Sequence, residues 1–362
     1  MIPAIASRIP LVRRPKAPAL PLHERLTHLT ELTVAPAGAS HHDLVARASG
    51  VLNYAALIAS DVGMPHLATD LCWRQHQVFA HAGRLTETIA VMSLMPLVNI
   101  SRLLTRDGDG DAAYEVLQRL YRAAKGRGAV EIRGHTVDLA PLTGTDRDHR
   151  KICEELWITL LIDGARALAR TGRWTEAAEA MAAHRGVGHR LLDGRQITIM
   201  SLMERGLTQQ AHAMIESATP AEPWENTVAA LLRAHCRAAD SPTPRAELDR
   251  VLREVLALNT AHDPATAVFA ARAGLAALEL DHDHTAGIVL RDTVADSARH
   301  DAYAAREVLQ HSEAAHLTDE QKQKLGTSIT VAGLGAGSLP QTYLHILTQA
   351  TDTAEAALGE LL

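Results

Sequence analysis

The chain has 362 residues, of which 47% are apolar and 22% are charged, and its formal net charge is −6. These values are typical of a folded protein and argue against a disordered chain or a non-specific nucleic-acid binder. Aromatic residues make up only 3%, which favours closely packed helices over sheets. Each of the three cysteines lies in an apolar helical run, so we expect reduced core thiols at Cys72, Cys153 and Cys236.

Residues 1–40 predict an extended N-terminal arm that packs on the body of the protein. They contain Pro10, Pro15, Pro18 and Pro21, and proline interrupts helices because it lacks a backbone N–H group. The same prolines interrupt any hydrophobic region, so we expect no signal peptide. No apolar stretch of the chain reaches the ~18 residues that a membrane helix needs. We therefore expect a cytoplasmic protein without a membrane partner.

The acidic run "RDGDGD" resembles the first half of a calcium loop. Counted from its first aspartate, the sixth and twelfth positions hold Ala112 and Gln118, whereas an EF-hand needs glycine and a bidentate glutamate there. We therefore interpret the run as a turn in which Gly108 ends one helix and Asp109 or Asp111 caps the next. No metal or other cofactor is expected.

Residues 126–149 interrupt the helical pattern. In "VEIRGHTVDL" the apolar residues alternate on both sides of an Arg-Gly pair, as in a small β-hairpin: Val130, Ile132, Val137 and Leu139. An insertion of this kind often lies on the binding face of a repeat protein. The alternative is a loop without a binding role, and the sequence leaves both open.

A turn signal recurs along the chain. The helix "CEELWITLLIDGARALARTG" has one polar and one apolar face, and Gly172 ends it in the left-handed conformation that glycine adopts easily. Five residues later, Ala177 begins the apolar face of the next helix. The same spacing recurs between Gly63 and Ala68, Gly108 and Ala113, Gly206 and Ala211, and Asp281 and Ala286.

Gly172, Gly206 and Asp240 are each 34 residues apart, which is the length of a tetratricopeptide repeat. On this spacing, residues 158–223 resemble two such repeats, and the chain resembles the tetratricopeptide sensor halves of actinobacterial regulators without their DNA-binding domain. The resemblance implies an all-α solenoid of antiparallel helix pairs with one small hairpin-like insertion. The predicted segments are the Pro-rich arm 1–40, helical repeats 41–125, the insertion 126–149, helical repeats 150–325, and a Gly-rich loop with a capping helix, 326–362.

Two further motifs suggest cofactor sites but fit them poorly. "ITVAGLGAGS" at 329–338 holds a G-x-G-x-G pattern, and too few residues follow it for a βαβ unit. We expect a flexible Gly-rich loop between the last helices. His282 and His284, beside Asp281 and Asp283, diverge at a helix–helix turn and do not predict a zinc site.

In stacked tetratricopeptide units, the first helix of each pair lines a concave groove. Applied here, that register predicts ligand-binding residues, which are Asn53, Trp73, Gln77, Arg102, Arg106, Arg166, Arg170 and Gln196. The four arginines form two i,i+4 pairs, each able to present two guanidinium groups on one face, which indicates an acidic ligand. In the alternative, Glu155 and Asp163 neutralise them as surface pairs.

These observations predict an adaptor or sensor that binds a peptide or partner protein. A small-molecule ligand is a secondary expectation, and no nucleic-acid partner is expected. One alternative is a biosynthetic tailoring enzyme with a pocket between the groove, residues 126–149 and the Gly-rich residues 333–338. No catalytic residue is identified, because the sequence holds no catalytic motif that we recognise. A structural homodimer is the second alternative.

Overall fold

Helices account for 72% of the computed structural model, which describes residues 4–238, 243–258, 263–280 and 285–362. An all-α fold is therefore confirmed. Between residues 22 and 171 the elements are α1 Leu22–Thr33, α2 His41–Val62, α3 Pro65–His81, α4 Glu87–Arg106, α5 Gly110–Gly126, β1 Ala129–Ile132, β2 His135–Asp138, α6 Asp146–Thr159, a π-helical turn Leu160–Gly164, and α7 Ala165–Arg170.

The remaining helices follow without further described strands. They are α8 Trp174–Ala183, α9 Asp193–Glu204, α10 Thr208–Glu216, α11 Pro223–Ala238, α12 Arg245–Leu256, α13 Ala267–Leu278, α14 Thr285–Ala298, α15 Ala302–Leu309, α16 Asp319–Val331 and α17 Gln341–Leu361. Short 3-10 helices occupy Ala4–Ser7, Pro264–Thr266 and Ser312–His316.

The chain divides into two compact units. The first unit comprises Leu22–Thr171 together with Gly333–Leu362, so that α17 packs on α1 and α2. The second unit comprises Gly172–Ala332 together with the N-terminal residues up to Pro21. Each unit is therefore completed by a segment from a distant part of the chain.

The N-terminal forty residues are not wholly extended. Residues 9–21 have the predicted non-helical backbone, but Leu22–Thr33 forms helix α1, so the prediction is wrong there. Leu22, Leu26 and Leu29 are buried, and their spacing of four and three residues places them on one helix face. The prolines that precede this segment predict an extended backbone, although the leucines within it have a helical spacing.

The acidic run is a helix–helix turn, as predicted. Gly108 has φ +86°, and the carboxylate of Asp109 accepts the N–H of Ala112 at 3.1 Å as the N-cap of α5. The next glycine, Gly110, allows α5 to lie against α7, because a Cβ atom there would come 2.3 Å from the carbonyl oxygen of Ala167. The turn therefore needs both a cap and a close approach.

The predicted hairpin is confirmed between α5 and α6. β1 and β2 pair antiparallel, with Val130 opposite Val137. Arg133 and Gly134 both have positive φ, at +50° and +83°, as a two-residue hairpin turn of type I′ requires.

The glycine–alanine spacing also has its predicted packing role. The cap glycines of the four described pairs all have positive φ: Gly63, Gly108, Gly172 and Gly206. The alanines five residues after them are fully buried: Ala68, Ala113, Ala177 and Ala211. Asp240 and Asp281 lie outside the described residues, so their part in the pattern stays a prediction. Cys72 and Cys236 are buried free thiols and Cys153 is half-buried; burial raises the pKa of Cys72 to about 12.

Helix α4 is the one helix of the described chain that is long and apolar enough to cross a membrane. Of its most apolar window, 61% is buried, and α4 packs against α2, α3, α5 and α6. The core helix of a folded unit has the same composition, so this finding is weak support for a membrane span.

We predict that Ala177→Leu lowers the free energy of unfolding by ~1–3 kcal/mol, because a larger side chain forces closely packed helices apart. Ala177 is fully buried on α8, whereas Ala182 on the same helix is exposed. Chemical unfolding of both leucine variants measures the difference. Equal losses in the two variants would contradict the packing role of the alanine that follows each cap glycine.

Candidate ligand-binding site

A row of polar side chains crosses α2, α4 and the π-helical turn of the first unit. The amide of Asn99 donates to Asn53 at 3.0 Å. Arg102, one turn further along α4, donates to Asn99 at 3.3 Å and to the carboxylate of Asp163 at 2.9 and 3.1 Å. Three of the elements predicted to line a groove are thus joined side by side.

Asp61 lies at the end of α2 beside this row. Its carboxylate is almost completely buried, with 1% of the side chain exposed, and accepts from the buried Arg25 of α1 at 2.7 Å. It also accepts from Nη1 of Arg106 at 3.1 Å, and the same Nη1 donates to the hydroxyl of Ser60 at 2.7 Å. Two guanidinium groups therefore face one carboxylate. Such pairing is what allows a charge to be buried.

The two arginines of α4 differ in how far their donors are used. Arg102 directs Nε and Nη2 to Asp163 and Nη1 to Asn99. Arg106 uses Nη1 alone, and its Nε and Nη2 have no partner among the described residues. The side chain of Arg106 is 44% exposed. Arg106 is thus held in place by one nitrogen and can offer two others.

The Gly-rich loop completes the end of α2. It is a loop between α16 and α17, as predicted, and Gly333, Gly335 and Gly337 all have positive φ. The N–H of Gly335 donates to the carbonyl of Asp61 at 2.8 Å, and the N–H of Gly337 donates to that of Val62 at 2.7 Å. These donors satisfy carbonyl groups that a helix end leaves open. Both N–H groups are thus occupied by the end of α2.

The second predicted arginine pair lies on α7, which continues the π-helical turn Leu160–Gly164. Arg166 and Arg170 lie one turn apart on α7, directly after the π-helical turn that carries Asp163. Arg166 is half-buried and Arg170 is exposed. A π-helical turn inside a longer helix often marks a functional position, and here it sets Asp163 opposite Arg102.

Trp73 and Gln77 lie on α3. Trp73 is buried and stacks on His135 of the hairpin, with ring centroids 3.9 Å apart. His76 packs edge-on against the same indole, and burial, followed by the proximity of His135, lowers the pKa of His76 to about 4. Gln77 is exposed. The insertion therefore covers Trp73, and Gln77 stays a predicted ligand residue.

Gln196 belongs to the second unit and is fully buried. Its amide bonds to the backbone of Leu11 and to the carbonyl of Leu191. A ligand would have to displace the N-terminal arm to reach Gln196.

The described residues hold no group of three His, Cys, Asp or Glu side chains that could bind a metal. The segment with Asp281, His282, Asp283 and His284 lies outside them. Neither of the two described cavities is in the first unit. One, of about 30 Å³, lies among α12, α13 and α14, and the other is an open groove of about 470 Å³ beside α16.

Arg25 and Asp61 were not among the residues predicted from the sequence. Arg25 lay in the segment expected to be extended, and its partner is 36 residues away. An aspartate within the apolar pattern of α2 was the one available signal, since a buried carboxylate needs a partner.

We predict that Asp61→Asn lowers the free energy of unfolding by about 3–5 kcal/mol, because Arg25 stays buried opposite a neutral amide. Asp163→Asn is the matched control, since its partner Arg102 is 46% exposed and an exposed pair contributes below ~1 kcal/mol. Urea unfolding of both variants measures the difference. Losses of the same size would contradict the buried role of Asp61.

No protein-family model, curated protein or solved structure matches the chain.

Proposed function

We propose that the protein is a cytoplasmic helical-repeat adaptor or sensor, and that the polar row of the first unit binds an acidic group of a peptide or partner protein. A regulatory role exerted through that partner is part of the same proposal. Arg106 is the centre of the proposed site, with Arg102 beside it.

The order of helix contacts supports a repeat architecture of the tetratricopeptide type. In the first unit α2 packs on α3 and α4, and α4 packs on α5 and α6. In the second unit the alternate helices α11, α13 and α15 are neighbours, as are α12, α14 and α16. Contacts between consecutive and alternate helices are what stacked helix pairs make. The four buried alanines after cap glycines favour the same arrangement.

The geometry of Arg106 is the observation that carries the functional proposal. A guanidinium group has five N–H donors in a fixed plane and binds carboxylates through two of them at once. Asp61 and Ser60 fix one nitrogen of Arg106, which reduces the entropy lost when a ligand binds the other two. Arg102 already donates to Asp163 and Asn99, so a ligand would have to share its guanidinium group with Asp163, and Arg102 is expected to contribute less.

The alternatives have no comparable support. The enzyme hypothesis places a pocket beside the Gly-rich loop, where Gly335 and Gly337 already donate to α2. No observation on the described residues favours a structural homodimer. Peptide or partner binding is therefore the function that the geometry supports best.

We predict that Arg106→Gln weakens binding of acidic peptides by about tenfold or more, since a charge-assisted pair contributes ~1.5–3 kcal/mol. The probe is a set of fluorescein-labelled peptides rich in Asp and Glu, and binding is measured by fluorescence anisotropy at two salt concentrations. Salt should weaken wild-type binding more than that of the variant.

Arg119→Gln is the matched control. Arg119 lies on α5, is 48% exposed and pairs with Glu115, so its loss removes the same charge away from the row. Equal affinities in the two variants would refute the site, and so would equal binding of peptides in which Asn and Gln replace the acidic residues.

A further inference from the structure

Residues 8–21, the part of the N-terminal arm that precedes α1, belong to the second unit and have a non-helical backbone from residue 9 onward. They are called the arm below. Arg8 pairs with Glu279 at the end of α13, and Arg14 pairs with Asp193 at the start of α9. Between these points the backbone N–H of Leu11 donates to Gln196 of α9 at 2.8 Å. The arm therefore runs antiparallel to both α9 and α13.

The lengths of these elements agree with that course. Residues 8 to 16 can span at most about 26 Å when extended. Arg8 contacts Glu279 and Lys16 contacts Ala265. These two partners are fourteen positions apart along α13 and the 3-10 helix before it, or about 21 Å. The backbone N–H of Lys16 donates to the carbonyl of Ala265 at 2.8 Å, so the arm follows the whole length of α13.

Gln196 binds the arm by its backbone. Its side-chain oxygen accepts the N–H of Leu11, and its Nε2 donates to the carbonyl of the same residue at 3.0 Å. A carboxamide paired with both groups of one residue recognises extended backbone independently of sequence, as a neighbouring β-strand does. The side chain of Leu11 is buried and supplies an apolar anchor.

Acidic side chains line the rest of the arm's path. Asp263 pairs with Arg13, and Asp301 accepts the N–H of Ala19 at 3.1 Å. With Asp193 and Glu279, four carboxylates face the segment, which itself carries four basic residues. Three of these carboxylates pair with arginines of the arm, so the face favours positive charge, the opposite of the ligand proposed for the first unit.

The arm is held unevenly along its length. Arg8 and Leu11 are buried, whereas Arg13 and Asp263 are 36% and 34% exposed, and exposed ion pairs stabilise a fold only slightly. Pro15, Pro18 and Pro21 favour an extended backbone in the second half of the arm before it binds, so binding there costs less entropy.

We propose that this face of the second unit is a binding site for an extended basic peptide, and that the arm is its intramolecular occupant. A partner segment would present an apolar residue between basic residues spaced as Arg8, Arg13 and Arg14 are. It would reach Asp193, Gln196 and Glu279 by displacing the arm. The site is independent of Arg106, so either proposal can fail without the other.

The test uses the full chain and a fluorescein-labelled peptide with the sequence IASRIPLVRRPKAPAL, residues 5–20. In wild type the tethered arm competes, so the probe should bind weakly. Leu11→Asp with Arg14→Gln alters the arm and leaves the face intact. We expect the probe to bind this variant at least about tenfold more tightly, because a larger fraction of the face is vacant.

Three controls make the result decisive. Adding Gln196→Ala to the arm variant should remove the gain, a probe with glutamate at the three arginines should not bind, and Arg106→Gln should leave probe affinity unchanged. Circular dichroism and the melting temperature are recorded with and without the probe, and the probe should restore any stability that the arm variant loses.

Other outcomes would overturn the proposal. If the arm variant is folded and binds the probe no better than wild type, the arm does not occupy a peptide site. If the variant is unfolded and the probe does not restore it, the arm is a fixed part of the fold. If the wild-type protein is a dimer whose arms crosslink to the neighbouring copy, the occupant is a second copy of the chain rather than a separate peptide.

Discussion

The first unit depends on how the end of α2 is satisfied. The last carbonyl groups of a helix have no partner within it, and Asp61 adds a buried carboxylate at the same place. The Gly-rich loop provides N–H donors for the carbonyls of Asp61 and Val62, while α1 and α4 provide arginines for the carboxylate. Three segments far apart in the sequence meet there because one helix end needs all of them.

This constraint also shapes the proposed ligand site. Arg106 is oriented by a carboxylate that α1 already holds, so its position does not depend on the ligand. Arg102 is oriented by Asp163 on the π-helical turn, and both arginines extend from the same face of α4. Residues that stabilise the unit and residues offered to a ligand are therefore neighbours in one network. A change at Asp61 would lower both the stability of the unit and its affinity for the ligand. A change at Arg106 should lower the affinity and leave the stability nearly unchanged.

The sequence predicts local features well and long-range partners poorly. The turn at Asp109, the hairpin around Arg133 and the buried alanines each follow from spacing within about ten residues. The helix at Leu22 was missed because prolines dominate the segment before it, although its leucines have a helical period. Neither the pairing of Arg25 with Asp61 nor the role of the Gly-rich loop could be predicted, because both depend on which distant element reaches the end of α2. The sequence places Arg102 and Arg106 on one face; it offers Asp163, the partner of Arg102, only as an alternative, and does not indicate Asp61, the partner of Arg106.

The net charge of −6 is also a poor guide to the binding preference of each site. It counts all residues equally, whereas recognition depends on which charges are left facing solvent or a peptide after folding. In the first unit, Arg106 keeps donors available beside a carboxylate shared with Arg25, so an acidic chain can still offer a cationic site. In the second unit, Asp193, Asp263 and Glu279 face a basic arm, and in the proposed exchange they would face another basic segment. The sign of each site is thus set by its pairing within the unit rather than by composition, and one acidic chain can present two faces of opposite preference.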